Sequence, residues 1–278
     1  MSYASGGGAH AQSQGMVDHS IVGQITAAQN AARLRFRLTF VAVWIAIIVG
    51  IGVALAAANA WDWEFALESG PVIVLQGAGI TVLISVASIV GATILAIMGA
   101  LGRISTNPIL YAIASFYVSL IRGTPLIAQI YIIYFALPQL DIVIPAIPAG
   151  ILALSLNYGA YMTEIFRAGI QAVPRGQREA AGALGMRQAH IMRRIVLPQA
   201  IRIVTPAIGN EFIAMLKDSA LLSTISVHET LFLAQRLGRS SFEPITALLI
   251  AAIVYWILTI VFSIFQERLE KRMARSDR

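Results

Sequence analysis

Residues 179–198, EAAGALGMRQAHIMRRIVLP, form the longest basic segment that does not itself look able to cross a membrane, in an otherwise apolar chain. Glu179, Ala180, Ala181 and Leu184 favour helix, and Gly185 interrupts them where a left-handed helix terminus is required. Ile191, Met192, Ile195 and Val196 then recur at helical spacing beside Arg187, Arg193 and Arg194, and Leu197-Pro198 closes the unit. The pattern is two short amphipathic helices around a glycine. Two readings stand at this point: a docking element for a partner protein, or a basic connector lying against lipid headgroups.

Outward from this hairpin the chain is too apolar for water. Hydrophobic residues make up 58% and charged residues 12%, against roughly 25% charged in soluble domains. The fold class is all-α: a polytopic membrane helix bundle of six spans. Windows of about twenty apolar residues place them near 38–60, 73–101, 108–137, 145–166, 201–222 and 244–266. Residues 1–32, rich in Gly, Ala, Ser and Gln, are expected to be a disordered tail, and 273–278 a basic one. Ala58-Asn59-Ala60 resembles a signal cleavage site, but the preceding apolar run is too long, so an uncleaved anchor is the reading.

Cations orient the spans. Arg33, Arg35 and Arg37 put the N-terminus inside. The loop with Asp62, Glu64 and Glu68 carries no cation and falls outside, as does the loop around Asp141. Arg103 returns to the cytoplasm. The arginines between Arg167 and Arg202 make 167–202 cytoplasmic, and Arg268, Lys271 and Arg272 place the C-terminus inside. Arg236 and Arg239 alone fall on an outer loop, offset by Glu229 and Glu243. The net charge of +6 is therefore a topology signal and not a nucleic-acid footprint.

Several polar groups sit at membrane depth. Arg122-Gly123-Thr124-Pro125 interrupts the third stretch; the proline frees carbonyls that need other partners. An arginine there costs roughly 2.5–3.5 kcal/mol, so Arg122 either pairs with Glu164 or Asp218 or binds an anionic group. Asn157, Tyr161 and Glu164 share one helical face, as do Glu211, Met215 and Asp218. Gly77, Gly79, Gly91 and Gly99 permit close helix contact in the second span.

Other chemistry is excluded by what the sequence lacks. There is no cysteine. The only lysines, Lys217 and Lys271, follow Leu216 and Glu270, so no P-loop can form. His10, His19, His190 and His228 are too scattered to hold a metal. No catalytic motif is present, and no cofactor is expected in this chain.

The residues now laid out resemble a known family. Glu179-Ala180-Ala181, Gly185, Ile195 and Leu197-Pro198 fit the EAA loop of permease subunits in bacterial ABC importers. Leu120 to Leu126, Gln129, Tyr134 to Pro138, Asn157 to Tyr161 with Glu164, Arg167-Ala168-Gly169, Leu197 to Ala200, Asn210-Glu211-Phe212 and Leu216 to Ser219 are similar to its polar amino-acid branch. The resemblance covers residues 72–272, a five-span core; residues 33–71 add one N-terminal helix and an outer loop. It implies a second permease subunit, identical or sister, two ATP-binding subunits holding ATP and Mg, an extracytoplasmic solute-binding protein, and a multi-pass place in the bacterial cytoplasmic membrane.

By that resemblance Glu179, Ala180, Ala181, Gly185, Leu197 and Pro198 couple to the ATPase. Arg122, Gln129, Asn157, Tyr161, Glu164 and Asp218 are candidates for binding a polar amino acid, Arg122 taking its carboxylate and Glu164 or Asp218 its ammonium. The alternatives are a structural sister permease without its own site, and a secondary amino-acid transporter.

Overall fold

Helix α1, Gly7–Ala57, is longer than the apolar window that predicts it. In the computed structural model, which describes residues 7–275 (side chains from 28 to 273), the helix runs through most of the segment expected to be a disordered tail. No proline interrupts 7–37, and Ala, Gln and Arg are good helix formers. Residues 1–6 and 276–278 lie outside the described residues. The chain divides into two units, Met1–Trp61 and Asp62–Arg278. In the first, the rings of Phe36, Phe40 and Trp44 form a ladder with centroids 6.4 and 5.9 Å apart.

The second unit opens with α2, Trp63–Glu68, capped by the Asp62 carboxylate accepting from Phe65 N at 2.6 Å. A π-helical turn, Val72–Gly77, leads into α3, Ala78–Arg103. Then come α4, Pro108–Arg122, and α5, Leu126–Tyr131, extended by turns to Leu140. Next are α6, Ala146–Ala172; α7, Arg175–Ala183; α8, Gln188–Ile191; and α9, Leu197–Asp218. A 3-10 segment, Ser219–Ile225, precedes α10, Thr230–Ser240, and α11, Pro244–Arg275.

The core is the α3–α6 pair. Gly91 and Gly99 face Ser155 and Thr163 so closely that a Cβ would lie 2.5 and 2.3 Å from their hydroxyl oxygens. Ser155 donates to the Ser88 carbonyl at 3.2 Å. Tight small-residue contact is what holds helices together in lipid, where a polar contact adds only about 0.6 kcal/mol. Gly77 meets α10 at Thr230, while Gly79 has no neighbour within 4 Å.

Among the described residues, three unbroken helical stretches are long and apolar enough to cross a membrane, Ala28–Ala57, Val72–Arg103 and Pro244–Met273. A fourth exists if α4 and the Leu126–Leu140 stretch count as one span. The third expected span is thus not one helix; it bends by 104° where Gly123 ends one helix and Pro125 starts the next. The freed carbonyls are met: Thr124 Oγ1 donates to Leu120 O at 2.9 Å and Gln129 Nε2 to Ile121 O at 2.8 Å. α6 and α9, at 27 and 22 residues, match the fourth and fifth windows in length. Their polar faces lower their apolarity below the others.

Helix α10 stands where the sequence offers only an outer loop. Its cap, Glu229, is fully buried and accepts from Leu231 N (2.9 Å), Phe232 N (2.7 Å) and the Tyr255 hydroxyl. Burial pushes its carboxyl above the usual range, against the pull of those donors. Among the described residues neither Glu229 nor Glu243 forms an ion pair with Arg236 or Arg239; Glu243 accepts from Thr246 Oγ1 at 3.2 Å.

Candidate functional site

The first half of the hairpin folds as its spacing predicts, but Leu197-Pro198 does not close the second: Gln188–Ile191 runs through a π-helical turn, Met192–Val196, directly into α9. Gly185 takes φ +77°, its amide reaches Gly182 O at 2.9 Å, and Met186 N reaches Ala181 O at 3.1 Å. This pair of bonds is the Schellman termination, and its apolar contact is present too. Ala181 is buried with Ile170, Val173, Ile191, Val196 and Ala200, and Met186 packs against that cluster. Glu179, Ala180, Leu197 and Pro198 are exposed, and Leu184 is 83% exposed. The six coupling candidates thus split in two: Ala181 and Gly185 build the hairpin, and the other four face outward.

Two contacts absent from the sequence reading fix the hairpin to the long helices. Arg178 donates to the Ile170 carbonyl near the end of α6. Gln199, in the first turn of α9, donates to Gln177 Oε1 at 2.5 Å and to Ile195 O at 2.8 Å. The exposed edge of α7 is therefore mechanically continuous with α6 and α9.

The second cluster lies along the polar faces of α6 and α9. The Arg122 guanidinium sits 5.1 Å from the centroid of the Tyr161 ring, a cation–π distance. Among the described residues it forms no ion pair with Glu164 or Asp218. Asp218 accepts from the Tyr158 hydroxyl at 2.7 Å. Glu211, one face with Asp218, lies within electrostatic reach of both Asp218 and Arg122. One cation, two carboxylates and two phenols thus share a wall.

The other three candidates are already engaged. Gln129 Nε2 donates to Ile121 O, to Thr124 O at 3.2 Å and to Thr124 Oγ1 at 2.9 Å, and its Oε1 accepts from Asn157 Nδ2 at 3.1 Å. The pair braces the α4–α5 bend. Glu164 is held by Arg103 at 3.2 Å and by Arg167 at 2.6 Å. Arg103 also donates to Ser115 Oγ at 2.6 Å and lies over the Tyr111 ring. Tyr158 and Glu211 are the residues that sequence reasoning left out of the site. The i, i+3 relation of Tyr158 to Tyr161 and the i, i+7 relation of Glu211 to Asp218 were the available signals.

Residues 88–275 match the family model described as the binding-protein-dependent transport system inner membrane component. The probable amino-acid permease protein YxeN of Bacillus subtilis (strain 168) is 38% identical over 220 residues, 78% of this chain and 98% of that protein. The arginine transport system permease protein ArtQ of the same organism is 39% identical over 205 residues, covering 73% and 94%. Among solved structures, that of an amino acid ABC transporter with histidines superposes at TM-score 0.72 with 37% identity, covering 76% of this chain and 98% of that one. The inward-facing MetNI methionine ABC transporter, at 19% identity and TM-score 0.63, shares the fold. This chain belongs to the family of binding-protein-dependent transport system inner membrane components, the membrane-spanning permeases of ABC transporters.

Proposed function

We propose that this chain is the translocation subunit of an ATP-driven importer for a polar amino acid in the bacterial cytoplasmic membrane. It pairs with an identical or sister permease, with two ATP-binding subunits below and a solute-binding protein above. Both termini lie in the cytoplasm. ATP and Mg belong to the partner ATPase; this chain contributes the dock and the path.

The observation that carries the reading is the α7 edge. Glu179, Ala180, Ala183 and Leu184 are exposed on a helix whose far side is tied to α6 and α9. Closure of the ATP-binding subunits draws the hairpins together, and α6 and α9 follow as levers. The walls bearing Tyr158, Tyr161, Glu211 and Asp218 then alternate between the two sides of the membrane.

A zwitterion needs both signs of charge. Arg122 is placed to take the α-carboxylate in bidentate geometry, with Tyr161 holding the guanidinium. Asp218, oriented by Tyr158, and Glu211 take the ammonium. Gln129 and Asn157 hold the bend that aims Arg122, and Glu164 ties α6 to α3 through Arg103. Extraction in mild detergent tests the assignment: an ATP-binding subunit should co-purify with the native chain. Its absence, with the permease intact, would leave the secondary-transporter reading standing.

A further inference from the structure

Thr-Pro occurs twice in this chain, at Thr124-Pro125 and at Thr205-Pro206. In both pairs the threonine hydroxyl donates to the carbonyl four residues back, Thr124 to Leu120 at 2.9 Å and Thr205 to Ile201 at 2.7 Å. The outcomes differ. At Pro125 the chain bends by 104°, whereas α9 continues through Pro206 as one helix. Pro206 has no N–H to give to the Arg202 carbonyl, and its ring crowds that turn. A threonine bonded to its own helix adds to the tendency to bend. Something outside α9 must hold this segment in line.

That support is Gln266 on α11, sixty residues further along the chain. Its Nε2 donates to Pro206 O at 3.0 Å, to Asn210 Oδ1 at 3.1 Å and to Glu270 Oε1 at 2.9 Å, so two hydrogens are shared among three acceptors. Gly209 makes the approach possible, since a Cβ there would lie 2.7 Å from Gln266 Cδ. Nearby, the Phe212 and Phe262 rings meet edge to face with centroids 5.0 Å apart. Beside these contacts lies a cleft of about 320 Å³, lined among others by Ile89, Thr205, Phe265 and Leu269. Protein packing therefore leaves α9 room to move at this level, and the amide clamp is what fixes the proline turn.

The clamp also sits at a telling height. Pro206 lies between the start of α9, where Gln199 ties it to the hairpin, and the wall residues Glu211 and Asp218. A free hinge at Pro206 would let the lower part of α9 follow the hairpin while the upper part lagged.

We propose that Gln266 is a positioning residue for transport: it splints α9 across Pro206, so that motion at the hairpin arrives at Glu211 and Asp218. This deepens the importer reading above and rests on it. Gln266 acts through the Pro206 carbonyl and Asn210, and not on the substrate.

If Gln266 compensates for a proline, removing the proline makes it dispensable. The measurement is substrate moved per ATP hydrolysed by the reconstituted complex in vesicles. Gln266→Leu and Gln266→Met, neither of which can donate, should each lower that ratio about fivefold, the weight of one hydrogen bond. Adding Pro206→Ala should restore it, because alanine supplies the missing amide and favours helix. A merely structural loss would lower the yield of complex and leave the ratio per ATP where it was. Spin labels at Ile203 and Lys217, both exposed, lie about 21 Å apart along an ideal helix and read the splint in the full-length chain in detergent. Their distances should be narrow in the native protein, broad in Gln266→Met and narrow again once Pro206→Ala is added. An unchanged ratio in both Gln266 variants, or distances that stay narrow, overturns the proposal. So does a defect that Pro206→Ala fails to repair, or a loss of coupling in Pro206→Ala alone, which would make the bend itself the working part. A native complex without ATP-driven uptake contradicts the importer reading, while the label distances still decide whether Gln266 splints α9.

Discussion

The 179–198 hairpin and the polar wall are both joined to α6 and α9, but different forces hold them. The hairpin is fixed by backbone: a glycine in the left-handed region, two terminating bonds and a small apolar cluster around Ala181. The wall is fixed by side chains that reach across helices, Tyr158 to Asp218 and Arg122 over Tyr161. Local geometry gives the first a shape that a partner can grip. Long-range pairs give the second charges that can exchange partners. A transporter needs both, a stiff handle and an adaptable lining.

The largest way to break this contrast is at the handle. Glu179→Lys combined with Gly185→Ala should abolish uptake in reconstituted vesicles while the protein stays in the membrane. No atom lies within 4 Å of a Cβ added at Gly185, so the alanine acts through backbone strain alone, about 1–2 kcal/mol. Normal uptake would show that the hairpin is a mere connector.

Second, Arg122→Ala should shift the substrate concentration that half-stimulates the ATPase by about ten- to a hundredfold, the loss of a charge-assisted pair of roughly 1.5–3 kcal/mol. An unchanged curve would remove Arg122 from the path. Third, Gln129→Leu strips partners from Ile121 O, Thr124 O and Asn157 at once. Its cost is about 1–3 kcal/mol, read as a lower melting temperature in detergent; an unshifted melt would mean that the bend holds without its brace.

The smallest effect is expected at Glu164→Gln. Its side chain is 20% exposed and those of Arg103 and Arg167 are 21% and 30% exposed. The loss should stay under about 1 kcal/mol after solvent screening, with the substrate dependence untouched. A changed substrate dependence would return Glu164 to the binding wall.

What was legible in the sequence follows the same division. Gly185 as a helix terminus, Arg122-Gly123-Thr124-Pro125 as an interruption and the apolar windows are local patterns, and local energetics enforces them. The pairings at the wall were not legible. Arg122 has two carboxylates within plausible reach by composition, and the packing of α3, α4, α6 and α9 decides that Glu164 goes to Arg103 while Asp218 goes to Tyr158; the Glu164–Arg167 pair, one turn apart on α6, was open to local reading. The helical stretch at 7–32 was missed because lack of an apolar period was read as lack of helix, although good helix formers without a proline need no such period. α10 was missed because its cap is a buried glutamate whose partner, Tyr255, lies 26 residues away.

The central claim is that α7 and α9 move as one body, so that closure below reaches Asp218. Spin labels at Ala183 and Ile203, both exposed, measure it directly in the assembled complex. One narrow distance distribution, the same with nucleotide absent and with ATP trapped, is the predicted result. A distribution that shifts or splits when ATP is trapped would show the hairpin bending away from α9 and would contradict the account.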